Sequence, residues 1–148
     1  MRPLSGVTEI AQEAFLDIMR TAEALKHDIE ELLKRSGLSI TQYNVLRILR
    51  GAGTDGLTCQ EVIERMINRD PDVTRLLDRL EDRGLVTRER SREDRRVVRA
   101  YLTKEGVLLV EKLDDPVAEL HVQQLGHLGE KKLHSLRDML VATRERLA

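Results

Sequence analysis

The chain has 148 residues, enough for one domain-sized unit, and 34% of them are charged while 41% are hydrophobic. This balance is typical of a soluble helical protein and excludes a disordered chain. No apolar run approaches the roughly 20 residues that span a bilayer, and the first residues lack the apolar core of a signal peptide. The one cysteine cannot form an internal disulfide, so we expect a cytoplasmic protein.

Charge is distributed unevenly along the chain. The formal net charge is -1, but residues 65–104 contain 12 Lys and Arg against 8 Asp and Glu, a local net of +4. Eleven of these twelve basic residues are Arg, whose planar guanidinium can bind phosphate or guanine through two hydrogen bonds. The segment therefore suits a polyanionic partner. The alternative is a solvated face on which the arginines pair with neighbouring carboxylates.

The first predicted element is a long helix over residues 8–35. Its apolar residues recur at spacings of three and four, which places them in one stripe: Ile10, Ala14, Ile18, Ala22, Leu25, Ile29 and Leu32. A helix of this length would project beyond a compact core, and such a stripe is often buried against a second chain.

Two short helices follow, and each begins with a capping box. Ser39 with Gln42 has the spacing of such a box, and the helix that it starts should stop at Gly51. Thr58 with Glu61 repeats the pattern and predicts a short helix to about residue 67.

A further helix is predicted over residues 71–83, with Asp70 as its N-cap and Pro71 at its first position. Its apolar stripe consists of Val73, Leu76, Leu77 and Leu80, and the residues that face outward are Thr74, Arg75, Asp78 and Arg79. Gly84 supplies the left-handed position that ends a helix. Three short helices in succession predict a helix-turn-helix.

A β-hairpin should follow this helix. Residues 85–90 and 97–102 favour strands, and the loop SREDRR between them contains no apolar residue. Its arginines are therefore displayed at the tip of a wing. A helix with outward arginines beside a hairpin tipped with arginines suits a duplex that offers two adjacent grooves.

The C-terminal part is predicted to be helical. Thr103 can cap a helix that begins near residue 104, and Pro116 should kink or interrupt this helix near Asp114 and Asp115. Gly126 and Gly129 mark a break before a final helix. The predicted fold class is mainly α with a small β-hairpin wing, in which helices at both ends flank a winged helix-turn-helix.

In its central part the chain resembles the MarR family of bacterial transcriptional regulators. The matching segments are LSITQYNVLRIL, LTCQEVIERM, VTRLLDRLEDRGLVTR, the DRR of the wing and VRAYLTKEG. The resemblance implies one domain over residues 1–148, with a winged DNA-binding lobe at 38–103 and dimerisation helices at 7–35 and 104–148. It further implies a homodimer on a palindromic operator, with repression relieved by a small molecule or by oxidation.

The DNA-binding residues that we expect lie on the helix over residues 71–83 and in the wing. Arg75 is the best candidate for a guanine contact, Thr74 and Arg79 could contact phosphate or base edges, and Asp72 could accept from cytosine or steady a neighbouring arginine. By the family match, Arg96 would enter the minor groove, Asp94 would orient an arginine, and Arg95 lies between them.

The family's usual placement of an effector pocket implies a site for a small aromatic or phenolic molecule. Its candidate residues are Phe15, Met19, Tyr43 and Leu46, and for all four the alternative is a packed core. We expect no cofactor and no metal, because the four histidines lack a pair at the spacing of two ligands on one helix face.

Three further interpretations are weighed beside that of a DNA-binding regulator. Cys59 lies in the first turn of a helix, where it could sense oxidants or simply pack. We find no phosphate-binding loop and no nucleophile paired with a base, which argues against an enzyme. A winged-helix module that binds protein instead of DNA is the serious alternative, although such a module has no need of both Arg75 and Arg96.

Overall fold

The computed structural model describes residues 6–68 and 72–148, and the chain divides into two compact units. The winged unit comprises Ile29–Asp114, and the helical unit comprises Met1–Asp28 with Asp115–Ala148. The described part is mainly helical with a small antiparallel sheet, which confirms the predicted fold class. None of its helices has the length and apolar character needed to cross a membrane.

The helices are α1 (Gly6–Lys34), α2 (Ile40–Ala52), α3 (Cys59–Arg65), α4 (Val73–Asp82), α5 (Lys104–Leu125) and α6 (Gly129–Leu147). The strands are β1 (Leu57–Thr58), β2 (Val86–Arg90) and β3 (Val98–Leu102), and single 3₁₀ turns cover Gly53–Asp55 and Gly126–Leu128. Most predicted boundaries agree with these within two residues. The predicted N-cap Asp70 and first helical residue Pro71 lie outside the described residues.

The helix caps explain why several of these boundaries were predictable. At α2 the amide of Gln42 donates to the Ser39 hydroxyl, and the Ser39 amide donates to the Gln42 side chain, both at 3.0 Å. The Thr58 hydroxyl accepts from the amide of Glu61 at 3.2 Å, and Thr103 caps α5 by accepting from the amide of Gly106 at 3.1 Å. These side chains satisfy amides that have no partner within their own helix.

The sheet of the winged unit has three antiparallel strands in the order β1-β3-β2. Arg88 of β2 and Leu57 of β1 both lie opposite Ala100 of β3. The sequence predicts the β2–β3 hairpin but not β1. A strand of two residues is too short to show an alternating pattern, so only its pairing with β3 reveals it.

The core of the winged unit is built from the apolar stripes of its helices and from the inner face of its sheet. Val73, Leu77 and Leu80 of α4 are almost fully buried, at 1%, 2% and 0% exposure, as predicted, whereas Leu76, the fourth residue of the predicted stripe, is only half-buried. The three buried residues share this core with the following residues: Leu33, Val45, Leu46, Leu49, Leu57, Val62, Val86, Ala100, Val110 and Leu113. The stripe fixes the rotation of α4, so its charged residues face solvent.

The predicted interruption of the helix near Asp114 and Asp115 is wrong, because α5 continues through Pro116 to Leu125. Proline lacks the amide proton that would bond the carbonyl of residue 112. Leu113 and Val117 on either side of it are 5% and 4% exposed. Burial of these neighbours favours a continuous helix over a break at one missing hydrogen bond.

The helical unit leaves many apolar side chains exposed in the isolated chain. Within this unit the Gln124 amide of α5 donates to the Leu25 carbonyl of α1 at 3.1 Å. Large apolar side chains that remain at least 45% exposed are Val7, Ile10, Phe15, Leu16, Ile18, Met19, Val122, Met139 and Leu147. Part of the predicted first stripe is therefore not covered by this chain itself.

Candidate nucleic-acid interface

The outward face of α4 carries the residues that the sequence analysis selected. Thr74, Arg75 and Arg79 are all exposed. The Arg75 Nε lies 3.4 Å from the Asp72 Oδ2, and the side chain of Arg75 keeps 70% of its surface exposed. Asp72 and Arg75 therefore form an ion pair on this face, while the guanidinium of Arg75 stays accessible.

A crevice of about 240 Å³ lies beside this face, between the first turn of α2 and the first two turns of α4. It is lined by Ser39, Thr41, Gln42, Asp72, Arg75, Leu76 and Arg79. Two arginines and three polar side chains on this concave surface can donate to phosphate oxygens, and the Asp72 carboxylate lies among them.

The loop between β2 and β3 is closed by its own hydrogen bonds. The Ser91 amide donates to the Val97 carbonyl at 2.8 Å, and the Val97 amide donates to the Asp94 carbonyl at 3.0 Å. The Ser91 hydroxyl accepts from the amides of Glu93 and Asp94 at 3.3 and 3.4 Å. The tip of the wing is thus a defined turn.

Asp94 holds Arg96 at the tip of this loop. One carboxylate oxygen accepts from the amide and from the Nε of Arg96, both at 3.1 Å, and the other accepts from Nη2 at 3.3 Å. The side-chain hydrogen bond from Arg96 is the main reason that the pKa of Asp94 lies below its ordinary value. The side chain of Arg96 is nevertheless 91% exposed, and Arg95 is exposed beside it.

Other arginines of the winged unit are engaged inside it. Arg83 donates to the carbonyls of Ser36 and Gly37 at 2.9 Å each. Arg50 donates to both carboxylate oxygens of Asp114 at 2.7 and 2.9 Å, and these hydrogen bonds raise its pKa. The winged unit therefore contains both arginines engaged in internal hydrogen bonds and exposed arginines, and a count of charges does not distinguish the two groups.

The outer face of the sheet borders a larger groove of about 900 Å³. Four basic residues line it, Arg65, Arg90, Arg92 and Arg99, together with four acidic ones, Asp55, Glu61, Glu89 and Glu93. Because these charges balance, the groove lacks the positive field that a phosphate backbone requires. The α4 face and the wing tip are the better candidates.

The four effector candidates lie in different units. Phe15 and Met19 belong to the helical unit and are 61% and 51% exposed. Tyr43 and Leu46 lie in the core of the winged unit at 7% and 0% exposure, and burial is the main cause that raises the pKa of Tyr43. An effector site that uses them stays a prediction.

Cys59 lies next to the candidate interface. Its Sγ is 3.9 Å from the hydroxyl of Thr74, a contact between α3 and α4 that spacing in the sequence does not reveal. Among the described residues, no group of three or more His, Cys, Asp and Glu side chains is arranged to hold a metal ion.

A helix-turn-helix formed by α3 and α4, followed by the β2–β3 hairpin, places this chain in the winged helix-turn-helix class. A family model described as the MarR family matches residues 36–97. The chain is 30% identical over 125 residues to the HTH-type transcriptional regulator FarR of Neisseria gonorrhoeae, a match that covers 84% of each chain.

Solved structures agree with these sequence matches. A MarR transcription factor from Planctomyces limnophilus is 43% identical, with a TM-score of 0.70, over 88% of this chain and 95% of that one. The S. aureus MepR–DNA complex shares the fold at 24% identity, with a TM-score of 0.79, over 90% of this chain and 96% of that one. The chain belongs to the MarR family of transcriptional regulators.

Proposed function

We propose that this protein is a sequence-specific DNA-binding regulator that acts as a repressor, and that it binds a palindromic operator as a homodimer. The observation that carries this proposal is the exposure of arginines at two separate places in the winged unit. One place is the outward face of α4 and the other is the wing tip, while Arg50 and Arg83 are engaged in internal hydrogen bonds.

The chemistry of α4 supports contacts in the major groove. A helix of this diameter fits that groove, and a guanidinium can donate two hydrogen bonds to one guanine. Arg75 has the required exposure, and Arg79 follows it by one turn on the same row of the helix. Asp72 can keep Arg75 oriented or accept from a cytosine amino group, as the bound sequence requires.

The chemistry of the wing tip supports a contact in the minor groove. Arg96 extends into solvent while Asp94 restrains it, so less side-chain entropy is lost when it binds. Narrow minor grooves have an enhanced negative potential that attracts arginine. Arg95 is an exposed second cation for the adjoining phosphates.

The apolar side chains left exposed in the helical unit support a dimer. Residues such as Ile10, Phe15 and Met139, each about 60% exposed, would form a patch that monomeric proteins rarely display. A two-fold dimer presents two winged units, and a palindrome with half-sites about 10–10.5 base pairs apart matches that symmetry. DNA affinity would be modulated by a small aromatic or phenolic effector.

The test begins with selection of duplexes from a random pool by the purified protein, and sedimentation equilibrium measures its oligomeric state. We expect a dimer and a selected pseudo-palindrome, with binding that weakens steeply as salt rises. An in vitro transcription assay with the operator across a promoter should show repression. A monomer, or a pool with no enriched sequence, would contradict the proposal and favour a protein-binding module.

The variants Arg75→Ala and Arg96→Ala separate the contribution of α4 to DNA affinity from that of the wing. Arg75→Ala should cost about 1–3 kcal/mol on the selected operator and little on a scrambled duplex, because it removes a base contact. Arg96→Ala should weaken binding most where A·T-rich steps narrow the minor groove.

Arg47→Ala on α2 is the matched control, since it removes the same charge from an exposed helical position outside the proposed DNA contacts and the dimerisation helices. All three variants should melt like the wild type, because their side chains are exposed. If Arg75→Ala and Arg96→Ala both bind like Arg47→Ala, the assignment of the interface is wrong.

A further inference from the structure

Arg88 connects the wing to α4 by three hydrogen bonds. Its amide donates to Oε2 of Glu81 at 2.9 Å, and its Nη2 donates to Oε1 of the same carboxylate at 3.2 Å. Nη2 also donates to Asp78. Asp78 and Glu81 are three residues apart and therefore neighbours on one face of α4, so a single strand residue holds two adjacent positions of the helix.

The surroundings of Arg88 make this connection stiff. Its side chain is 23% exposed, so solvent screens these ion pairs less than a fully exposed pair. In the sheet Arg88 lies opposite Ala100, which is 2% exposed. Residues directly opposite share a face of the sheet, and the small methyl group of Ala100 leaves room there for the stem of Arg88.

The two elements that Arg88 joins carry the two candidate DNA contacts. Arg75 belongs to α4, and Arg96 follows β2 in the wing. Asp78 is a neighbour of Arg75 on the surface of α4, but both Arg75 and Arg79 remain exposed beside the connection. A helix in one groove and a wing in the next can bind together only if the angle between them matches the duplex.

We propose that Arg88, Asp78 and Glu81 form a positioning clamp that sets the angle between α4 and the wing, so that both contacts form on the same duplex. The clamp rests on the proposed DNA-binding function. In this proposal Arg88 does not touch DNA. It contributes to binding by holding the wing, and therefore Arg96, at the angle that the duplex requires.

A double-mutant cycle tests the clamp. Arg88→Met keeps the apolar stem and the amide but removes the guanidinium. The penalty of Arg96→Ala is measured on the selected operator at one fixed salt concentration, in the wild type and in Arg88→Met. Arg83→Met is the matched control background, because Arg83 also makes two internal hydrogen bonds, but to Ser36 and Gly37 instead of to the wing.

We expect Arg96→Ala to weaken operator binding about tenfold in the wild type and in Arg83→Met. In Arg88→Met the same change should cost about twofold or less, because a wing that is no longer held contributes little that can be lost. The penalty of Arg75→Ala should be the same in every background. A tenfold penalty of Arg96→Ala in Arg88→Met would overturn the clamp.

Two further measurements separate the clamp from folding and from the proposed function. In DNA-free protein, the amide of residue 88, which donates to Glu81, should be less protected against hydrogen exchange in Arg88→Met than in the wild type or Arg83→Met, and equal protection would overturn the clamp. Asp78→Asn with Glu81→Gln replaces Arg88→Met if that variant does not fold, and an unchanged Arg96→Ala penalty there also overturns it. If the proposed DNA-binding function is wrong, Arg75→Ala and Arg96→Ala will have no effect on binding even in the wild-type background, which distinguishes that failure from failure of the clamp.

Discussion

Gly106, in the first turn of α5, is packed against backbone where a side chain has no room. A β-carbon there would lie 2.2 Å from the carbonyl oxygen of Leu85 and 3.1 Å from Cδ2 of Leu102. The Leu85 carbonyl is itself fixed, because it accepts a hydrogen bond from the Thr103 amide at 3.1 Å. Gly106→Ala must therefore push the start of α5 away from the segment that leads into β2.

The size of this effect follows from two opposing terms. Overpacking against backbone costs about 3 kcal/mol, at the upper end of the usual range, and alanine in place of glycine in a helix returns about 1 kcal/mol. The free energy of unfolding should thus fall by about 2 kcal/mol, which lowers the melting temperature by roughly 4–8 °C for a chain of this size.

Urea denaturation and thermal melting measure the change, and Gly51→Ala is the control. Gly51 is also helical, and a β-carbon there would meet nothing within 4 Å, so this variant should gain up to about 1 kcal/mol. Opposite signs for the same substitution are the expected result. A Gly106→Ala protein that is as stable as the wild type would refute the steric argument.

Three smaller predictions concern a cap, an ion pair and the exposed arginines. Ser39→Ala removes the α2 cap and should cost about 1 kcal/mol in urea denaturation. The hydrogen bond from Arg50 lowers the pKa of Asp114 in the folded protein below its ordinary 3.8. The stability that this ion pair contributes is therefore fully present above pH 3.8, and it is lost as the pH falls through the lowered pKa of the folded state. The gap in melting temperature between wild type and Asp114→Asn should accordingly close in acid, and a gap that widens there would contradict this sign. The slope of log affinity against log salt should shrink by about one in Arg96→Ala if the wing contacts phosphate as well as base edges.

Periodicity and caps made most of the fold predictable. The α4 stripe specified which residues face the core, and the outward direction of Arg75 follows from it because a helix turns 100° per residue. Ser39, Thr58 and Thr103 marked helix starts because their hydroxyls bond orphan amides at short range. Such signals are local, so a single sequence carries them.

Features that depend on distant pairing were not predictable. Arg83 and Arg88 have the same side chain as Arg75 and Arg96, and only the fold shows that the first two are bonded internally. The strand β1 forms because Leu57 meets Ala100, 43 residues further along the chain. The continuity of α5 through Pro116 reflects buried neighbours, whereas the sequence shows only the missing amide.

Because β2 lies at the edge of the sheet, Glu81 also affects the solubility of the protein. An edge strand exposes backbone donors on which a strand of another molecule can add, and proteins commonly protect such edges. The carboxylate of Glu81 accepts a hydrogen bond from the Arg88 amide. One of these backbone donors is therefore occupied by a negatively charged group. Replacement of Glu81 by an apolar residue would open a site for intermolecular strand addition, and it would raise the tendency to aggregate in concentrated protein even without DNA.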